Sequence, residues 1–582
     1  MGRRDRQRSK SRASVRGHQA GKPPSLGERD DASESRARLR RFLPLALLGL
    51  LVTLAAFLAH AWHFRHYVND DAFITFRYSR FLLMGRGPYF NVGERVEGYS
   101  NPLLMLLMVP VIAWGGEHAA LPGAKIIGAA CGGLSLVAAF VLCLVLQRDE
   151  GRSWPAWISG CLAAGLIAVS PSYAINSMNG LETTLFGLSI TAGVLLGTLA
   201  AQQGAWRGAG AAFACGVLSR PEGALLFAVF WCAQAISAFT TRSLRSIRSI
   251  LVFDAVIVTG VFVAQLVFRR LAYDGEWLPN TYFAKSGGFW AFAAWEYVRD
   301  GIMVPLGGSI AVAIGVVGWF LSSASRRWIA PAAAVALTGG LLPFITGTDW
   351  MPGQRLVMPY LPLAAALIAI GWSRVARALV ARPAWLAPST AFLLVPWLWV
   401  SQTPSRTELF EDSWVRARGY QAGHTALAEW LRSAARPGDT VALMDTGIIG
   451  FLCIDQQILD ITGLTNRFIA RSPGEFLDKQ YDPAYVFDQK PRFIVLVIKQ
   501  QGNPDEQPTG AGFSTWTNIE AELLHYPDFN RWYRKPRAVG APDEPWLDKT
   551  AKGLGAVRMF QHAHPGVFYL LTVFERQDRP AL

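Results

Sequence analysis

The sequence predicts a polytopic α-helical membrane protein of about eleven transmembrane helices, followed by a C-terminal soluble α/β domain. Three observations carry this. Hydrophobic residues make up 51% of the 582-residue chain and charged residues only 17%, against about 25% charged in a soluble domain. The long apolar runs crowd between residues 43 and 402. After residue 402 the pattern changes to charges, prolines and short alternating segments. The chain therefore divides into a basic head (1–41), a membrane bundle (42–402) and a soluble tail (403–582).

The net charge of +14 raises nucleic acid as a partner, but its distribution argues against that. Residues 1–41 are rich in Arg, Lys, Ser and Gly. Such a composition buries too little surface to offset its ordering entropy and is expected to be disordered. The remaining Arg clusters fall in short segments between apolar runs, as the positive-inside rule requires of cytoplasmic loops. The lipid bilayer, not nucleic acid, is the expected partner. The first apolar run, from Phe42 to Ala61, exceeds the roughly 7–15 residues of a signal-peptide core, and a long polar head precedes it. At about 20 residues it matches a bilayer crossing.

Charge then orients the chain. With the head cytoplasmic, residues 62–122 form a first external loop, provided that 102–116 is re-entrant or interfacial. The crossings become 43–61, 123–146, 155–171, 182–201, 208–219, 222–239, 249–268, 302–321, 328–346, 356–373 and 384–402. Cytoplasmic loops then carry Arg148 and Arg152, Arg207, Arg242, Arg245 and Arg248, Arg326 and Arg327, and Arg374, Arg377 and Arg382. The opposite side collects Asp70 and Asp71, Asn179 to Glu182, Arg220 to Gly223, Trp277 to Lys285, and Asp349 to Arg355. An odd number of crossings sends the tail to that same side, so the active surface is expected to face outward beneath it.

The residues gathered there suit sugar and phosphate chemistry. Asn69-Asp70-Asp71 supplies two carboxylates whose directions diverge by about 100° on a helix, so one can act as a general base while the other orients it. The same three residues also suit a helix N-cap. Glu97, Tyr99 and Asn101 mix hydrogen-bonding groups with an aromatic ring, which suits a sugar and equally an interfacial loop. Arg220 beside Glu222, and Asp349 before Arg355, place ionisable groups at membrane depth, where they are costly unless functional or paired. Arg offers a planar fork to phosphate, and Lys285 adds a cation beside Asn280 and Tyr282. The alternative for each is an ion pair within the bundle.

Taken in order, Asp70-Asp71-Ala72-Phe73-Ile74 with Arg77-Tyr78, Gly93 to Asn101, Arg220 to Gly223, Pro279 to Lys285, Gly347 to Arg355 and Leu459 to Leu464 resemble membrane glycosyltransferases of the GT-C superfamily. Within it they resemble the arabinofuranosyltransferases that terminate mycobacterial arabinan and their relatives in other bacteria. The resemblance implies a GT-C-like bundle, a polyprenyl-phosphate-linked sugar as donor, and a glycan or glycoconjugate acceptor outside the bacterial cell membrane. It implies a catalytic Asp in the first external loop, Asp70 or, preferred, Asp71. It makes Arg220, Lys285 and Arg355 candidates for the donor phosphate. Arg77, Glu97, Tyr99, Asn101, Glu182, Glu222, Asn280, Tyr282 and Asp349 become candidates for sugar contacts or for orienting the site. No cofactor is required. The paired carboxylates leave room for a divalent cation, though nothing in their spacing demands one. A flippase for lipid-linked sugars and a non-catalytic envelope-assembly subunit are the competing functions.

In the tail, an amphipathic helix at 426–435 and short apolar runs at 440–445, 457–460, 493–498 and 566–574 suggest an α/β domain, a lid or an acceptor-binding element. Asp445 and Asp460 fall at strand ends and are read as turn caps. His562-x-His564 is a weak metal signal, read as a surface pair. The six cysteines offer no disulfide framework: five lie in apolar runs, and Cys453 alone is in the tail.

Overall fold

A computed structural model describes residues 26–148, 154–285, 291–321, 326–379, 393–501, 512–536, 538, 541, 543–564 and 567–578. The membrane part runs α1 (Leu26–His63), α2 (Asp70–Leu83), α3 (Pro102–Gly115), α4 (Ala120–Leu146), α5 (Trp154–Val169), α6 (Pro171–Asn176), α7 (Thr183–Gln203), α8 (Ala209–Ser219), α9 (Gly223–Thr240), α10 (Leu244–Ala272), α11 (Asn280–Ala284), α12 (Ala291–Val298), α13 (Gly308–Phe320), α14 (Arg326–Leu341), α15 (Pro343–Thr346) and α16 (Leu361–Leu379).

Among the described residues seven helices are long and apolar enough to cross a membrane, and eight if the bent pair 291–303 and 308–320 forms one span. Seven of the eleven expected crossings thus appear as full-length helices. The run at 155–171 is the 16-residue α5, and 208–219 is the 11-residue α8, both shorter than the roughly 20 residues that span a bilayer unaided. The run at 302–321 is broken by a 69° bend. Most of 384–402 lies outside the described residues, as do Arg152 and Arg382. Helix α3 has 14 residues, also short of a crossing. Arg374 and Arg377 belong to α16 and not to a loop.

One further reading changes. Helix α1 begins at Leu26, inside the head expected to be disordered; residues 1–25 lie outside the described residues. The segment 26–41 is dense in Leu, Ala, Glu and Arg, all strong helix formers, so it extends the first helix. Close helix approach in the bundle depends on small residues. A Cβ at Gly371 of α16 would overlap Gly315 of α13.

The tail forms a six-stranded mixed sheet in the order β2-β1-β3-β6-β5, with β4 also on β3. The strands are β1 (Thr440–Leu443), β2 (Gln457–Asp460), β3 (Phe493–Gln501), β4 (Ser514–Thr515), β5 (Arg558–His564) and β6 (Val567–Glu575). β2, β1 and β3 run parallel, and β6 and β5 antiparallel. β3 is buried over its first six residues and β6 over seven. These are the near-continuous apolar runs of a sheet covered on both faces. The core of this domain does not end at its own boundary: Ile74, Tyr78, Phe90, Tyr99, Met105 and Tyr273 from the membrane part are buried within it.

Candidate active site

The local chemistry of α2 sets the site. Asn69 caps the helix, its Oδ1 accepting from Asp71 N at 3.1 Å, so the helix-start reading of Asn69-Asp70-Asp71 holds. The two aspartates that follow point apart. Asp70 is 8% exposed and turns into the soluble domain, where its two carboxylate oxygens accept from Gly447 N at 2.9 Å and Ile448 N at 2.7 Å. Burial, opposed by the charge of His424, pushes its carboxyl up to about 6. The Asp71 carboxylate lies 3.8 Å from Lys285 Nζ.

Beyond Lys285 the bundle residues singled out in the sequence form one charged network. Arg355 donates to Asp349 Oδ2 through Nε at 2.7 Å, with Nη2 at 2.6 Å. Burial raises the Asp349 carboxyl, but Arg355 and Lys285 reverse this and leave it below the usual carboxylate range. Arg220 Nε donates to Glu182 Oε1 at 2.7 Å, and Glu222 stands 3.6 Å from Arg220 Nη1. Asn101 Nδ2 donates to Glu182 Oε2 at 2.8 Å, while its Oδ1 accepts from Thr75 at 3.1 Å. Burial pushes Glu182 up, and Arg220 with Arg355 overrides it to about 2. Both guanidiniums are held above their ordinary value, by Asp349 and Glu182 for Arg355 and by Glu182 and Glu222 for Arg220. Arg220 Nη1 is buried without a hydrogen-bond partner among the described residues.

The pairs differ in kind. Glu182–Arg220 and Asp349–Arg355 are buried and tight. Breaking a buried pair by removing one partner costs about 3–5 kcal/mol. Asp71 and Lys285 are partly exposed, with side chains 23% and 42% accessible, and such pairs contribute about 0–1 kcal/mol. The network is a rigid charged floor with one labile pair at its edge.

The other predicted residues fasten the two parts of the molecule. Arg77 is fully buried. Its guanidinium donates to the carbonyls of Phe90 at 2.6 Å, Cys453 at 3.0 Å and Gln456 at 2.9 Å, and also to Gly450 O. Asp70 and Arg77, two turns apart on one helix face, thus grip opposite ends of the helix Thr446–Leu452. The anion meets its N–H end and the cation its carbonyl end, the favourable sense for the helix dipole. Gly447 and Gly450 permit this closeness: a Cβ at Gly447 would overlap Asp70 O, and one at Gly450 would press on Phe90 and Arg77. Asn280 donates to the carbonyls of Gly463, Leu464 and Asn466, which joins Pro279–Lys285 to Leu459–Leu464. Glu97 pairs with Arg269 at 2.7 Å, and Tyr99 with Tyr273 at 3.0 Å. Tyr282 is 59% exposed.

Asp460 organises a turn as expected, accepting from Thr462, Gly463 and Thr465. Asp445 makes no cap bond. Its Oδ2 takes a hydrogen bond from Tyr569 OH at 2.6 Å and lies 2.9 Å from His424 Nε2. Burial lowers His424, but Asp445 outweighs it and raises the imidazole above its ordinary value. His562 is no surface residue: it is 3% exposed on β5, with its ring 5.0 Å from that of His424, and burial holds it well below its ordinary value. Sequence reasoning missed His424, Tyr569, Arg269 and Tyr273. Strand alternation put His562, His564 and Tyr569 within reach of each other, but no motif marked His424. Among the described residues no three His, Cys, Asp or Glu side chains gather in a metal-binding arrangement.

Comparison with known proteins agrees with the arabinofuranosyltransferase resemblance. The chain is 30% identical over 363 residues to the terminal beta-(1->2)-arabinofuranosyltransferase of Mycobacterium tuberculosis, covering 52% of each chain. It is 26% identical over 374 residues to the Corynebacterium glutamicum enzyme of the same name, covering 56% of this chain and 52% of that one. The chain thus spans about half the length of the curated relatives it matches. Residues 413–541 match a family described as "Domain of unknown function (DUF8728)". Among solved structures, ArnT from Cupriavidus metallidurans bound to undecaprenyl phosphate superposes with a TM-score of 0.48 at 15% identity, covering 71% of this chain and 86% of that one. The apo oligosaccharyltransferase of Archaeoglobus fulgidus superposes with a TM-score of 0.48 at 11% identity, covering 92% and 89%.

Proposed function

We propose that this protein is a membrane glycosyltransferase. It moves a sugar, arabinofuranose on the strength of its relatives, from a polyprenyl-phosphate donor to a hydroxyl of a glycan or glycoconjugate acceptor at the outer face of the bacterial cell membrane. The observation that carries the reading is the labile Asp71–Lys285 pair at the edge of a tightly paired charged floor. A donor phosphate competes with Asp71 for Lys285 and meets Arg220 Nη1, which makes no hydrogen bond and only a 3.6 Å ion pair with Glu222. As Lys285 turns to the phosphate, the Asp71 carboxylate is released as a base. It takes the proton of the acceptor hydroxyl, whose oxygen bonds to the anomeric carbon while the bond from that carbon to the phosphate oxygen breaks. The phosphate leaves on its lipid, its charge met by Lys285 and Arg220. Asp349 and Glu182 hold Arg355 and Arg220 in place, and Glu97, Tyr99, Asn280, Asp70 and Arg77 act through docking of the soluble domain. The N-terminus is cytoplasmic and the tail faces outward, a reading supported by the Arg-rich opposite ends of α9 and α14.

The test is transfer by the full-length protein in nanodiscs from radiolabelled polyprenyl-phosphoryl arabinofuranose to a short arabinoside. Labelled product from wild type, and a loss of about 100-fold or more in Asp71→Asn, within the range of acid–base catalysis, is expected. No product from this donor or from a panel of other lipid-linked sugars overturns the enzyme reading in favour of transport or scaffolding. The scheme draws its cations from the chain itself, so the rate is expected to survive EDTA; a rate restored only by Mg²⁺ or Mn²⁺ would bring a metal into the mechanism.

A further inference from the structure

Helices α7 and α9 both start at the charged floor, just after Glu182 and Glu222. From Glu182 to Thr198 is 16 residues, or about 24 Å at 1.5 Å per residue. At that depth, across most of a bilayer core of about 30 Å, the helices frame a second, separate feature. A shallow cleft opens there, lined by Thr198, Gln234, Ser237, Thr241, Ser243 and Arg327.

Gln234 is only 6% exposed, and its side-chain amide makes no hydrogen bond to any described residue. The amide opens into the cleft and offers it both a donor and an acceptor. The hydroxyls around it are ordered: Thr241 Oγ1 donates to Ser237 O at 2.8 Å and lies 2.9 Å from Ser243 Oγ, and Ser237 Oγ donates to Arg327 O at 3.0 Å. The first turns of two long helices, α10 at Ser243 and α14 at Arg327, contribute walls, and helix N-termini favour anions.

The charge around the cleft has one sign. Arg242, Arg245, Arg248, Arg326 and Arg327 are all exposed there. The sequence from 223 to 253 and from 326 to 348 contains no Asp or Glu. Beside the polar lining, Ile236 and Phe239 on the outer surface of α9 are 64% and 72% exposed, ready for acyl chains. We infer that this cleft binds the phosphate headgroup of an anionic glycerophospholipid, on the membrane face opposite the charged floor. Basic clusters flanking membrane helices attract such lipids; here the cleft adds a polar floor and a defined seat. The inference does not depend on transferase activity.

The experiment is native mass spectrometry of the full-length protein, released from detergent after titration with phosphatidylglycerol, with phosphatidylcholine, or with glycerol 3-phosphate alone. A retained phosphatidylglycerol adduct is expected, about 10-fold or more above phosphatidylcholine, with little glycerol 3-phosphate bound. Gln234→Leu and Arg327→Ala should each reduce the adduct several-fold. Arg207→Ala, which removes the same charge from the α7–α8 loop outside the cleft, should keep it. Equal loss in Arg207→Ala overturns the proposal in favour of unspecific charge attraction. Glycerol 3-phosphate bound as well as the lipid overturns it in favour of a soluble-anion site, and no phosphatidylglycerol adduct overturns it outright. If Gln234→Leu does not fold, Ser243→Ala on the cleft wall gives the same reading.

Discussion

At the scale of single residues, two adjacent aspartates have different work because a helix turns them about 100° apart. Asp71 meets Lys285 across a loose, part-exposed 3.8 Å pair, whereas both oxygens of Asp70 are occupied by backbone N–H groups. Asp71→Asn should therefore abolish transfer while leaving the unfolding temperature in nanodiscs unchanged. Asp70→Ala leaves two buried N–H groups unsatisfied, at about 1–3 kcal/mol each, and should lower that temperature measurably. Glu182→Gln leaves the buried Arg220 only its longer 3.6 Å pair with Glu222 and should lower the same thermal reading; a shift under a degree would show that Glu222 compensates the charge by itself. The sequence made these residues visible because charge at membrane depth stands out against an apolar background. What it hid is their pairing. Glu97 pairs with Arg269, 172 positions away, and Asn280 reads carbonyls at 463–466, and no local pattern encodes such partners.

At the scale of elements, α2 and the helix Thr446–Leu452 form a clasp whose closeness rests on Gly447 and Gly450. Gly447→Ala forces the two helices apart, so the clasp should open. Hydrogen exchange across 440–465 should rise, and transfer should fall even though Asp71 is untouched. The clasp also carries a pH dependence. Asp70 sits at about 6 against an ordinary 3.8, so its contribution is full below about pH 4 and is lost as pH rises through 6. His424, raised above 6.5 by Asp445, contributes below 6.5 and loses that contribution as pH rises through its folded value. Glu520, pushed up to about 7 by burial, has the same sign as Asp70. His562 acts oppositely: lowered by burial, its contribution is present above 6.5 and lost as pH falls. Two raised carboxyls outweigh the one lowered imidazole, so the unfolding temperature should fall as pH rises from about 4 to about 7. His424→Gln should flatten the fall above 6.5, and His562→Phe should steepen it below 6.5; a slope unchanged in both variants would remove these groups from the account. The clasp was only half legible in the sequence. Asn-Asp-Asp announced a helix start, but nothing in Asp445-Thr446-Gly447 announced the surface that Asp70 would bind.

At the scale of the whole molecule, the boundary read at residue 402 marks a change of solvent and not a division of the core. The composition shift was legible because apolar length is set by the bilayer. The shared core was not, because Ile74, Tyr78, Phe90, Tyr99 and Met105 lie in a stretch whose partners are hundreds of residues on. Those side chains are buried against β1–β3 and their helices only when both parts are present. The sheet alone would expose the surface that α2 covers, together with the two unmatched ends of the helix Thr446–Leu452. Exposed apolar surface of that kind drives association. Residues 403–582 expressed alone should therefore bind a hydrophobic dye and lack a sharp thermal transition. Residues 1–402 alone should lose transfer while retaining membrane insertion. A fragment of 403–582 that unfolds cooperatively, as a monomer and without dye binding, would show that the tail is a self-sufficient domain merely resting on the bundle. In that case the geometry of Asp70, Arg77 and Asn280 would have to serve the substrate and not the docking, and their substitution should change KM with no change in unfolding temperature.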